Sequence, residues 1–196
     1  MDRRTLVLLL NSLWIVYVSG YVPLTLTDCG STANRLLNIQ GNTVDYPIEI
    51  PGHVKARGTV DILHDVQPDR YTLNVTVEKW IVFNYFTLPC VSNVGSCSYD
   101  VCDLLGKFEG RGGCPWQLVE SNFPCMCPFS NATHTLQPLP FYIPEVQGIW
   151  SWIAFGDFRV TGTLYDNVLS EIVNCYQLEF TVQRKPIVIE DFWGWW

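Results

Sequence analysis

Eight cysteines constrain this chain more than any other feature of its sequence. Six of them, Cys90, Cys97, Cys102, Cys114, Cys125 and Cys127, crowd one stretch, while Cys29 and Cys175 stand alone near the two ends. Whether thiols pair or stay free depends on the redox compartment, and the N-terminus speaks to that. Arg3 and Arg4 precede an apolar run from Leu6 to Val18, interrupted by Asn11 and Ser12, and small Ser19 and Gly20 follow. Residues 1–20 read as a secretory signal peptide cleaved after Gly20. The run is too short and too interrupted to span a bilayer core of about 30 Å. An even number of thiols entering an oxidising lumen pairs up, so four disulfides are expected. Cys125 and Cys127 are two residues apart, point to opposite faces of an extended chain and seek different partners. Beyond that, spacing leaves the connectivity open. A zinc site is the weaker reading, because there are no paired Cys-x-x-Cys knuckles and only three His.

Period-two alternation sets the architecture. Tyr71, Leu73, Val75 and Val77 alternate with Thr72, Asn74, Thr76 and Glu78, the pattern of a half-buried strand. Val54, Ala56, Gly58, Val60 and Ile62 alternate with Lys55, Arg57, Thr59 and Asp61 in the same way. So do Phe158, Val160, Gly162 and Leu164 with Arg159, Thr161 and Thr163, and Tyr176, Leu178, Phe180 and Val182 with Gln177, Glu179, Thr181 and Gln183. Shorter extended pieces, Pro47 to Ile50, Phe86 to Cys90 and Leu139 to Ile143, are bounded by Pro or Gly. Only Asp100 to Phe108 reads as helical. The expected fold is all-β, an antiparallel sandwich or cup with one short helix, polar faces in solvent and apolar faces around an interior. Residues 21–185 read as one domain.

The formal charge of −7 offers no basic face for a phosphate backbone, so nucleic acid is excluded as a partner. Loss of Asp2, Arg3 and Arg4 with the leader makes the mature chain one unit more negative. Such a protein is repelled by anionic membranes near neutrality, and the repulsion fades as pH falls toward the sequence pI of about 4.8. Asn74-Val75-Thr76 and Asn131-Ala132-Thr133 are glycosylation acceptors, and the alternation turns Asn74 outward.

Two segments between strands are unusually apolar: Trp80-Ile81-Val82-Phe83-Asn84-Tyr85-Phe86 and Ile149-Trp150-Ser151-Trp152-Ile153-Ala154-Phe155. A loop facing only water is polar. Either part of each segment is strand or core, or Trp80, Phe83, Tyr85, Phe86, Ile149, Trp150, Trp152, Ile153 and Phe155 rim an apolar cavity and touch a bilayer. Signals of catalysis are thin by comparison. There is no Gly-x-Ser-x-Gly, His-Glu-x-x-His or phosphate-loop motif. His53, His64 and His134 could serve a serine hydrolase only if the fold gathered them, and Asp100 and Asp103 read as solvated or capping carboxylates. The expectation is a non-enzymatic protein with no cofactor and no metal.

The cysteine-rich stretch carries a resemblance. Leu88-Pro89-Cys90, Gly95-Ser96-Cys97, Cys102-Asp103-Leu104-Leu105, Cys114-Pro115 and Pro124-Cys125-Met126-Cys127-Pro128-Phe129 resemble the ganglioside activator protein family in cysteine order, spacing and flanking prolines. The likeness extends from Asp28-Cys29 through Pro47-Ile48-Glu49-Ile50-Pro51-Gly52, Glu78-Lys79 and Gly156-Asp157-Phe158-Arg159 to Cys175 and about Lys185. It implies a β-cup that takes the acyl part of a lipid, and a protein that presents ganglioside to lysosomal β-hexosaminidase A. It also implies the pairs Cys29–Cys175, Cys90–Cys97, Cys102–Cys127 and Cys114–Cys125. The family's mobile-loop Trp falls at Tyr85 and its rim Trp at Trp152. A general secreted carrier or sensor of sterol, fatty acid or phospholipid, with no hydrolase partner, is the alternative. The resemblance places the protein in the secretory pathway, in lysosomes or outside the cell, with a lipid ligand, transient membrane contact and a glycosidase partner. Residues 186–196, with Phe192, Trp193, Trp195 and Trp196, lie beyond the family's usual end and read as an aromatic extension that touches membrane.

Overall fold

The computed structural model describes residues 22–30, 33–109, 113–148, 151 and 153–185. The leader, residues 1–20, the tail, residues 186–196, and Ile149, Trp150 and Trp152 lie outside the described residues.

Among the described residues eleven strands and two helices follow one another: β1 (Thr25–Asp28), β2 (Leu37–Val44), β3 (Ile48–Ile50), β4 (Gly52–Ile62), β5 (Tyr71–Ile81), β6 (Asn84–Thr87), β7 (Ser98–Asp100), α1 (Val101–Glu109), α2 (Trp116–Glu120), β8 (Ala132–Leu136), β9 (Pro140–Ile143), β10 (Gly156–Asp166) and β11 (Glu171–Arg184). The four alternating segments are the four long strands, β4, β5, β10 and β11. Three of them form the middle of the larger sheet, in the order β1-β11-β10-β5-β6, with β3 added to β11 and β7 to β5. The smaller sheet runs β2-β4-β8, with β9 also paired to β4. Among these strands the pairings are antiparallel except that of β3 with β11.

Two details differ from the pattern read in the sequence. Trp80 to Phe86 is a hairpin rather than a loop: β5 continues to Ile81 and β6 begins at Asn84, with Ile81 opposite Asn84 and Val82-Phe83 as the turn. The turn is hard to see in the sequence because it lacks the Gly or Asn-Gly that such tight reversals favour. Val82 occupies the left-handed region at φ 56°, and the Phe83 amide donates to the Ile81 carbonyl at 2.6 Å, as in a γ-turn. A β-branched residue there is strained. A second short helix, α2, also accompanies α1. Pro115 stands at its N-cap position, and five residues are too few to display a helical period. α1 is started by Asp100, whose carboxylate accepts the amides of Cys102 at 2.8 Å and Asp103 at 3.0 Å, so Asp100 is a capping group.

The sheets meet in two core clusters. At one end Leu36, Ile62, Val66, Tyr71, Leu164 and Val173 are buried, with α1 residues Val101 and Cys102 packed against them. At the other end Ile50, Phe158 and Val182 are buried among Ile143, Val146, Phe155 and Phe180. Disulfides join Cys29 to Cys175, Cys90 to Cys97, Cys102 to Cys127 and Cys114 to Cys125. The second of these closes a loop so tight that a Cβ on Gly95 would lie 2.1 Å from the Pro89 carbonyl oxygen. Among the described residues no helix is long and apolar enough to cross a membrane.

Below the first cluster, Asp166 is 1% exposed, accepts from Arg70 at 3.0 Å and caps the amides of Val168 and Leu169. Burial pushes its carboxyl up, but the Leu169 amide, the Arg70 guanidinium and the Val168 amide outweigh it and hold the group below the usual carboxylate range. A depressed folded pKa contributes stability that is complete above the unfolded value of about 3.9 and is lost as pH falls through the lower folded value. Asp166→Asn is therefore expected to destabilise the protein by about 1.5–3 kcal/mol. In urea titrations at several pH values, that difference should persist down to about pH 4 and shrink only below it.

Candidate functional site

The alternation that builds the sheets also decides what faces the interior. On β5 the inward residues are Tyr71, Leu73, Val75 and Val77, and strand register places Val160 opposite Val77 on one side and Leu178 on the other. The two core clusters occupy the ends of this face. Between them, Val75, Val160, Gly162 and Leu178, with Ala56 and Gly58 on β4, are half-buried and belong to neither cluster among the described residues. A sandwich closed by its own side chains buries such positions fully. The middle of this one is instead an apolar belt of small and branched residues whose surfaces remain accessible.

Lys79 brings a charged group onto the inward face. Lys79 follows Val77 at the same parity, and its Nζ donates to the Ile153 carbonyl at 2.8 Å and lies 5.7 Å from the Phe158 ring centre. Burial holds its ammonium below the usual lysine range. The period of two read from Tyr71 runs on through Lys79, but a lysine ends an apolar pattern and hides the strand's continuation. Phe158 stacks on Phe180 at 5.7 Å, so aromatic rings line this end of the interior.

The hairpin divides the apolar residues beyond Lys79 between two faces. Phe86 pairs with Lys79 across the strands and Asn84 with Ile81, which puts Phe86 and Ile81 on the inner side, 52% and 40% exposed. Phe83 at the tip is 87% exposed. Trp80 and Tyr85 pair with each other on the outer face, ring against ring at 5.1 Å. There the Arg159 guanidinium lies 3.8 Å from the Tyr85 ring centre and binds Glu179 at 3.0 Å and Glu78 at 3.7 Å. Trp80 and Tyr85 are thus half-buried parts of a polar-aromatic cluster on the outside of the sheet. Of the second apolar segment, Phe155 packs in the core cluster beside Phe158 under the Arg184 guanidinium, and Ile153 supplies the carbonyl that holds Lys79.

The histidines are separated. His53 packs on Tyr142 at 5.2 Å, His134 on Phe123 at 5.3 Å, and His64 is exposed beyond β4. Among the described residues no three His, Cys, Asp or Glu side chains could hold a metal ion. Asn74 and Asn131 are both exposed; Asn74 accepts from the Ser98 hydroxyl at 2.6 Å.

Two sheets are thus closed at one end by α1 and carry an apolar hairpin at the other, and the sequence pattern of the ML domain family matches residues 23–182. The chain belongs to the ML domain family. Among curated proteins it is 33% identical over 132 residues to the mouse protein named Ganglioside GM2 activator, covering 66% of this chain and 65% of that one. It is 30% identical over 122 residues to the protein of the same name from Macaca fascicularis, covering 60% and 62%. The matched segment thus spans a little under two thirds of these relatives. Among solved structures, a Niemann-Pick type C2 protein from the Japanese carpenter ant aligns over 81% of this chain and 99% of its own, at 9% identity and a TM-score of 0.40.

Proposed function

We propose that this lipid-binding ML domain protein extracts a glycolipid of the ganglioside kind from a membrane and presents it to a glycosidase such as β-hexosaminidase, without catalysing a reaction itself. The observation that carries the reading is the half-buried belt of Val75, Val160 and Leu178 between two packed clusters, in a chain similar to two proteins named as ganglioside activators. Lifting a lipid from a bilayer exposes acyl chain to water at about 0.8 kcal/mol per CH₂. An apolar interior removes that penalty, and Ile81, Phe83 and Phe86 on the hairpin give the transfer an apolar path at the bilayer surface. The sugar headgroup stays outside and accessible to an enzyme. Export through the secretory pathway to lysosomes or the extracellular space fits the leader and the disulfides.

Native mass spectrometry tests the reading. The secreted protein is incubated at acid pH with liposomes containing gangliosides, phospholipids and sterol, and one glycolipid per chain, selected from the mixture, is the expected result. Uptake of phospholipid or sterol with no preference for glycolipid would leave a general carrier. No bound lipid under any condition would end the reading.

A further inference from the structure

We infer that residues 186–196 fold back across the open end of the sandwich and pack on the exposed apolar hairpin, so that the chain plugs its own interior until lipid displaces the tail. Ile81, Val82, Phe83 and Phe86 are all exposed, and a soluble chain rarely leaves so contiguous an apolar surface uncovered. The register brings the start of the tail within reach of it. Phe180, Phe158, Lys79 and Phe86 stand level in one row across β11, β10, β5 and β6. β11 and β5 are both antiparallel to β10, so they run the same way; past this row β5 leads to the tip at Val82-Phe83 and β11 leads to Lys185. The tail and the hairpin therefore leave the sheet at the same end. Three strand spacings of about 4.8 Å, about 14 Å in all, separate β11 from β6, whereas eleven residues reach up to about 36 Å. The point of departure is also held in place: the Lys185 amide donates to the Ile50 carbonyl at 3.1 Å, beside the cluster of Ile50, Phe158 and Val182 that floors the open end.

Composition and proximity favour this occupant of the hairpin over a second copy of the chain, and favour this place for the tail over a bilayer. Ile187-Val188-Ile189 and then Phe192, Trp193, Trp195 and Trp196 supply apolar surface, and Glu190-Asp191 divides the two groups. Sunk into a membrane, the segment would carry two adjacent carboxylates toward hydrocarbon and against an anionic surface, both of which are costly. Laid across the open end, it keeps those carboxylates in water while its rings meet Phe83 and Phe86. A second copy would have to cover the hairpin at its concentration in solution, whereas a segment tethered by so short a link acts at an effective concentration of about millimolar. The inference rests on the reading that the interior takes lipid only in naming what displaces the tail.

The test replaces Phe83 by the photoreactive p-benzoylphenylalanine in the intact secreted protein and maps its crosslinks by mass spectrometry, first without lipid and then after incubation with vesicles of ganglioside and phosphatidylcholine. Without lipid the crosslink should fall on residues 186–196 of the same chain, and ganglioside uptake should remove it. A chain stopped after Lys185 should take up ganglioside with roughly tenfold higher apparent affinity, the factor expected when about one full-length chain in ten is open. Trp193→Ser/Trp195→Ser/Trp196→Ser in the full chain should act in the same direction, which keeps the test decisive if the truncated form folds poorly. Crosslinks to a second copy in place of the tail would overturn the inference. So would loss of vesicle binding in both variants with no lipid-free crosslink to the tail, which would make residues 186–196 a membrane anchor. Equal and measurable uptake by all three forms would overturn it even with the tail on the hairpin, because a plug must oppose loading. A lipid-free crosslink to the tail in a protein that never binds lipid would instead uphold the docked tail and remove the lipid-binding reading.

Discussion

Val160→Trp should cut lipid occupancy roughly 50-fold while leaving the protein folded. Val160 faces the interior between Val77 and Leu178 and belongs to neither core cluster. Tryptophan in its place occupies the volume of about three methylene groups, and each methylene that an acyl chain can no longer bury is worth about 0.8 kcal/mol. In a close-packed interior the same substitution would strain its neighbours by about 1–3 kcal/mol. The two cases separate cleanly when native mass spectrometry is read beside urea denaturation. Lost lipid with an unchanged midpoint is the expected result. A lowered midpoint with lipid still bound would mean that the belt is ordinary core.

How much of this was legible in the sequence depends on how local each signal is. The long strands announced themselves because side chains on a pleated strand alternate faces with a period of two, and four segments keep that period for most of their length. β2 did not: Gly41 takes φ 57° and the register with β4 slips between Gln40 and Thr43, which breaks the alternation midway. β1, β7 and β8 are too short to show a period. The cysteines told that pairing occurs, whereas the identity of the partners depends on distances across the fold that spacing does not encode. The site was half legible. That Trp80 to Phe86 is apolar was plain, but which of those residues share a face depends on a two-residue turn at Val82 and Phe83 that carries no turn signal. A turn one residue longer would change which residues pair and so exchange the sides of Tyr85 and Phe86 on β6, while β5 keeps Trp80 outside and Ile81 inside. The belt itself was visible as the inward half of each alternation. Its incomplete burial was not, because burial is set by the spacing of the two sheets and not by either strand alone.

Replacing Cys29 and Cys175 together by Ser should have the largest effect on stability of any disulfide removal in this molecule. The bridge links residues 146 apart, whereas Cys90–Cys97 links residues seven apart. On the chain-entropy argument the long loop constrains the unfolded chain by about 5 kcal/mol and the short one by about 2.4 kcal/mol, and measured losses for native bridges run to about 2–5 kcal/mol. Against a typical stability of about 5–15 kcal/mol, the long bridge is a large share. Its surroundings add a local consequence. Gly30 approaches Cys175 so closely that a Cβ there would lie 3.0 Å from the Cys175 amide nitrogen. Immediately beside it, Asn174 accepts from the amides of Leu36 and Leu37 at 2.9 and 3.0 Å and donates to the Leu37 carbonyl at 2.7 Å. The Tyr176 hydroxyl accepts from Ile39 at 3.2 Å. This polar seam is where β2 of the smaller sheet is fastened to β11 of the larger one, so the bridge braces the side wall of the interior. Chemical denaturation of Cys29→Ser/Cys175→Ser against Cys90→Ser/Cys97→Ser should therefore show the greater loss for the first pair, accompanied by faster exchange of the amides of Leu36, Leu37 and Ile39. Equal losses would mean that loop length does not govern these bridges. A stability loss without faster exchange in β2 would confine the role of the clasp to the unfolded chain and leave Asn174 and Tyr176 to hold the seam alone.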